Sequence, residues 1–174
     1  MQRIIRITGV MVLAALAATV ARSAPLLPKA PRLSDEVLTM VGINRVELLV
    51  MPLPEPLVDA GVDLRWVRNR FGTQLAAAGI DLVQGGGAPS LRLHVRMIVS
   101  DKTDRLISHV NVLTLEQNVR IDRLRGRAAR IPTWTGILGG MGDRENLKSQ
   151  FEKTVQKSIG QFLIKTRAAS DYRP

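Results

Sequence analysis

The sequence predicts an α+β fold, a two-layer sandwich in which an antiparallel-rich sheet of four to five strands carries two helices on one face. Three observations carry this prediction. Residues 91–99 alternate apolar and polar side chains with period two, as a half-buried strand does. Segments 63–78 and 144–167 place apolar residues at every third or fourth position, which gives each helix one apolar stripe. The elements follow in the order β-α-β-β-β-β-α, and strands with one polar face need cover on one side only.

Element by element, residues 24–32 hold Pro25, Pro28 and Pro31 and read as an extended leader. Ser34 and Asp35 are placed to cap one short helical turn through Met40. Residues 43–51 are rich in Val, Ile and Leu and read as a buried first strand, stopped by Pro52, Pro54 and Pro56. In the first helix the stripe is Leu64, Val67, Phe71, Leu75 and Ala78, and Gly79 stands where a left-handed cap is wanted. Residues 80–83 form a short second strand. The glycines at 85–87 make a turn, because neither a lysine nor a helix start follows them to build a phosphate cradle.

Along 91–99, Leu91, Leu93, Val95, Met97 and Val99 face the core, and Arg92, His94 and Arg96 face water. A hairpin centred on 101–104 pairs Val99 with Leu106, Val95 with Val110 and Leu93 with Val112. The apolar phase then changes from even to odd positions at Val112-Leu113, where a bulge is expected, and Leu115, Val119 and Ile121 turn inward. A second hairpin with a three-residue loop at 124–126 requires positive φ at Gly126. It sets Ile121 opposite Ala129, Val119 opposite Ile131 and Arg120 opposite Arg130. Pro132 marks the last strand as an edge or ends its pairing. Residues 136–142 read as a flexible glycine-rich connection. Asp143 caps the closing helix, whose stripe is Leu147, Phe151, Val155, Ile159, Phe162 and Leu163.

The first residues carry Arg3 and Arg6, then a 15-residue apolar stretch at 7–21, then the small residues Ala21 and Ser23 before Ala24. Those are the three parts of a secretory signal peptide, and the stretch is shorter than the roughly 20 residues of a spanning helix. Cleavage is expected between Ser23 and Ala24. The chain then divides into signal peptide 1–23, leader and turn 24–42, a single domain 43–168 and a tail 169–174, destined for the periplasm or the medium. Three of the 25 Lys and Arg residues lie in 1–23, and none of the 15 acids does, so the formal charge of +10 becomes +7 after cleavage. A basic exported protein has anionic neighbours in lipid headgroups and envelope polymers, and nucleic acid is not expected among its partners. The absence of cysteine excludes disulfides, thiol nucleophiles, thiolate-bound zinc and an amino-terminal lipid anchor.

The element order resembles that of small envelope-assembly accessory proteins such as the lipopolysaccharide-assembly lipoproteins. The likeness is of architecture and contains no motif, and this chain lacks the cysteine through which such lipoproteins are anchored. It implies a two-layer fold in the envelope and assigns no residue a role.

For chemistry, only His94 and His109 are available as imidazoles. The hairpin register places both diagonally on the open face with Arg96 between them, an arrangement that repels a cation. No carboxylate pair stands in an evidently apolar setting that would keep one protonated. Neither catalytic residues, a metal nor a cofactor is therefore expected. The second hairpin holds five arginines in 120–130. Opposed Arg120 and Arg130 would destabilise a sheet by roughly 0.2–1 kcal/mol, and a bridging anion would reverse that sign. The candidate anion- or partner-binding set is Arg92, Arg96, Arg120, Arg123, Arg125, Arg127 and Arg130, with Trp134 standing on the open face as an anchor. The function expected is a non-enzymatic envelope module that binds a protein or anionic partner through a basic sheet face. A subunit of a larger envelope assembly and an unrecognised periplasmic hydrolase are the alternatives.

Overall fold

The structure, a computed structural model, describes residues 33–172 except 86, 100–105, 122 and 124. The expected signal peptide with its Ser23/Ala24 junction, the 24–32 leader and the 101–104 turn lie outside the described residues. The element order is α1 (Asp35–Leu38), β1 (Arg45–Val50), α2 (Glu55–Asp59), α3 (Leu64–Ala77), β2 (Asp81–Leu82), β3 (Ser90–Val99), β4 (Leu106–Ile121), β5 (Arg127–Asp143) and α4 (Leu147–Ser170). The strands form one sheet in the order β2-β1-β3-β4-β5. β1 pairs parallel with β2 and β3, and the two long ladders, β3 with β4 and β4 with β5, are antiparallel. The expected α+β sandwich is therefore observed.

Local chemistry sets the helix ends. Ser34 caps α1 and Asp63 caps α3, each side chain accepting a backbone N–H from the first turn. Gly79 ends α3 with φ of 75°, the left-handed conformation that costs glycine nothing. α2 is not expected from the sequence, in which Pro52, Pro54 and Pro56 read only as strand stops. Pro56 stands in the first turn of α2, where its missing N–H has no helical partner to lose, and the turn buries Leu57. α4 starts at Leu147 rather than 144, after a turn in which Asp143 Oδ1 accepts from the backbone and side-chain nitrogens of Asn146. The helix runs to Ser170 and buries Ala169.

Val67, Phe71 and Leu75 of α3 and Leu147, Phe151, Val155, Ile159 and Phe162 of α4 pack under Val46, Leu91, Leu93, Val95, Ile107, Leu113 and Leu115 of the sheet. Val37 and Met40 join the same core. The segment after α1 is tied to the sheet by Gln117 Nε2, which donates to Thr39 O at 2.7 Å.

The sheet register differs from the expected one in three places, each with a physical cause. First, Val99 pairs with Ile107, Val95 with Asn111 and Leu93 with Leu113, one residue away from the expected hairpin. The odd positions of β4 therefore face the helices along its whole covered length, and no bulge is needed at Val112-Leu113. Leu113 and Leu115 enter the core, at the cost of burying His109 and Asn111 and turning Val110 and Val112 outward. Second, Ile121 pairs with Arg127 and Val119 with Ala129, so Arg120 faces Ala128 and Arg130 faces Asn118. The expected Arg120–Arg130 opposition does not exist. The longer loop takes positive φ at Arg125 (54°) as well as at Gly126 (71°). Third, β5 continues through 136–142, where a flexible connection was expected.

Glu116 pairs with Pro132 and Leu115 with Trp134, which leaves Thr133 as the extra residue of a bulge. One extra residue reverses the faces. Trp134 therefore enters the core against Phe162, with ring centroids 5.5 Å apart, instead of standing on the open face.

Candidate functional site

The helices cover one face of the sheet, and the other face carries Glu47, Ser90, Arg92, His94, Arg96 and Glu116. These alternate with the core residues of their strands, and Ser90 faces Glu47 and Glu116 in the neighbouring strands. At the β1 end of this face the charges are compensated. Arg92 Nη2 lies 3.1 Å from Glu116 Oε2. Arg130 reaches across from β5, 3.8 Å from Glu116 and 3.9 Å from Glu47. It also donates to Ser90 Oγ, which in turn donates to Glu47 at 3.1 Å. Two of the expected anion ligands, Arg92 and Arg130, are thus held by carboxylates of the chain itself. Arg96 is exposed opposite Val110, in a region that the register makes apolar.

Beyond the bulge, β4 and β5 continue as a two-stranded arm. None of its described residues from 116 to 133 is buried, and its base is held to the end of α1 by Gln117. Arg120, Arg123, Arg125 and Arg127 are all exposed there. The ion pairs among the described residues do not involve these four. The sequence places the candidate arginines together on one face. The structure divides them into a group neutralised beside β1 and an exposed group at the tip of the arm, for which no ion pair is seen among the described residues.

The histidines separate in the same way. His94 stays on the open face, whereas His109 is buried on the helix side, so the two imidazoles cannot share a cation. His109 Nε2 lies 3.1 Å from Thr154 Oγ1, and its ring meets Phe151 edge-on at 5.8 Å. The Thr154 hydroxyl donates to Gln150 O, which makes Nε2 the donor to it and leaves Nδ1 a buried acceptor without a partner among the described residues. Asn111, two residues on, is buried with neither side-chain polar atom bonded among the described residues. Sequence periodicity misses this polar seam, because both residues interrupt an otherwise apolar phase.

Burial lowers the His109 pKa by disfavouring the imidazolium. The unfolded chain takes up this proton near the ordinary value of about 6.5, before the folded chain does. Stability contributed by the neutral ring is therefore complete above that pH. It falls as pH drops toward the folded pKa, by at most about 1.4 kcal/mol per pH unit. Urea melts between about pH 8 and pH 5 should show this loss in the wild type and a shallower one in His109→Gln. Parallel pH profiles for the two proteins would show that the imidazole is not buried neutral.

A groove of about 820 Å³ between the carboxyl ends of α3 and α4 is lined by Ile43, Gln74, Ala78, Leu163, Arg167 and Asp171, among others. Glu116 and both histidines lie elsewhere, and Asp122 is outside the described residues. Among the described residues no helix is long and apolar enough to cross a membrane.

These features define a two-layer α+β domain with an open sheet face and a basic β-arm. No protein-family model matches the chain, and no curated protein matches it by sequence. The fold is similar to the crystal structure of a minor lipoprotein from Acinetobacter baumannii, with a TM-score of 0.44 and 12% sequence identity over 77% of this chain and 99% of that one.

Proposed function

We propose that this chain is an exported envelope module without catalytic activity, which docks through its β-arm onto an anionic lipid or polymer surface. The observation that carries the reading is the cluster of Arg120, Arg123, Arg125 and Arg127 on an arm outside the core, while Arg92 and Arg130 are occupied by Glu47 and Glu116. The amino-terminal pattern and the formal charge of +10 support it.

A basic side chain near an anionic leaflet contributes about 1 kcal/mol. Replacing Arg120, Arg123, Arg125 and Arg127 together by Ala is therefore expected to weaken binding to anionic vesicles or lipopolysaccharide by more than about 100-fold at low salt. Arg130→Ala should keep most of that binding, yet lower stability by about 1 kcal/mol, because Glu47 and Glu116 lose the guanidinium between them. Equal vesicle retention by the wild type and the fourfold variant would count against the arm.

A second reading, a subunit of a larger envelope assembly, is favoured by the apolar part of the open face. Ile98, Leu106, Ile137 and Met141 are exposed there, beside half-buried Val110 and Val112.

A further inference from the structure

Among the described residues β5 is an edge strand, and from 134 to 142 it carries no charged residue and no proline. Natural edges are normally blunted by such residues, and one that lacks them is a pairing site. Protection stops at the bulge. Pro132 and the extra Thr133 lie there, and Thr39 Oγ1 stands 3.5 Å from Thr133 O. Beyond it the strand is straight in register with β4 down to Asp143.

We propose that this edge pairs antiparallel with β5 of a second copy of the chain, about a two-fold axis at Gly139. Thr135, Ile137, Gly139, Met141 and Asp143 face the open side, opposite Thr114, Val112, Val110, Ser108 and Leu106 of β4. A two-fold at Gly139 sets Ile137 against Met141 of the second copy, and Met141 against its Ile137. The same register sets Thr135 against Asp143, Gly136 against Gly142 and Leu138 against Gly140, so every pair lies on a common face and no like charges meet.

Moving the register by two residues one way sets Ile137 against Asp143. The other way it sets Ile137 against Gly139 and Met141 against Thr135. Of these three registers, only the one centred on Gly139 sets both Ile137 and Met141 against an apolar side chain, and neither falls on itself as it would with the axis at 137 or 141. Ile137 and Met141 are 64% and 61% exposed in the single chain, and Ile98 is 71% exposed. The pairing joins their surroundings into one apolar band across the axis. This inference deepens the assembly reading above and is independent of anion binding by the arm.

The test uses the chain as purified from cells expressing all 174 residues. Light scattering after size exclusion should give twice the chain mass, and Ile137→Lys with Met141→Lys should return it to the single-chain mass while it still melts cooperatively, without the concentration dependence of the dimer. The register is read separately, in a protein with no cysteine of its own. A mixture of Ile137→Cys and Met141→Cys chains should form a disulfide-linked dimer under mild oxidation, and neither variant should do so alone. A single-chain mass at every concentration overturns the pairing and leaves only assembly with a different protein. A dimer that survives the lysines, or that crosslinks equally through either cysteine alone, overturns the β5 pairing and leaves assembly by another surface standing.

Discussion

Phe162→Ala is expected to lower the unfolding free energy by about 3–5 kcal/mol, a large part of the 5–15 kcal/mol typical of a domain. Phe162 is fully buried at the middle of the α4 stripe and forms one wall of the site that holds Trp134. Truncation removes apolar contacts and leaves a cavity between a helix and a bulged strand, neither of which is free to close on it. Denaturant melts give the magnitude, and Trp134 emission shifts to longer wavelength if water reaches the indole. Ile164→Ala, two residues on and 69% exposed, is the control and should change stability by no more than about 0.5 kcal/mol. A loss below about 1 kcal/mol for Phe162→Ala would mean that α4 does not cover the sheet as described.

The helices and β3 were legible because each carries one unambiguous period. Phe71 and Phe151 have only one face on which to lie, and Leu91, Leu93 and Val95 have only one parity. β4 has two. Its even positions offer Leu106, Val110 and Val112, and its odd positions offer Ile107, Leu113 and Leu115. Local pattern favours a switch between the phases, whereas tertiary packing keeps the odd phase throughout and accepts His109 and Asn111 inside. The deciding information lies about 30–50 residues away, in Thr154 and in the glycines of β5.

That one change in parity moves Val110 and Val112 onto the open face and makes part of it apolar. The bulge at Thr133 has the same character. Nothing near Pro132 announces an extra residue, yet it carries Trp134 from the solvent side to the core. The candidate arginines were legible by composition. The pairing of Arg130 depends on Glu47, a residue of β1 that sequence proximity does not connect to it.

The glycines that made 136–142 look like a flexible connection are there to leave room, and Gly140→Ala tests this. Gly140 lies in extended backbone and is not among the residues of positive φ, so conformational freedom does not explain it. A Cβ at this position would stand 2.5 Å from Cε1 and 2.9 Å from Nε2 of His109, with Thr154 Oγ1 at 3.1 Å. The ring is held by Phe151 and Thr154 and cannot withdraw, so Gly140→Ala is expected to cost about 1–3 kcal/mol. Gly142→Ala meets only the end of the Gln150 side chain, which can swing aside, and should cost well under about 1 kcal/mol. In a His109→Ala background the Gly140 methyl would occupy vacated space and restrict the unfolded chain. Its cost should therefore fall close to zero, a coupling of roughly 1–2 kcal/mol between positions on neighbouring strands. Additive losses in that cycle would mean that the glycine serves the backbone of β5 and not the imidazole beneath it.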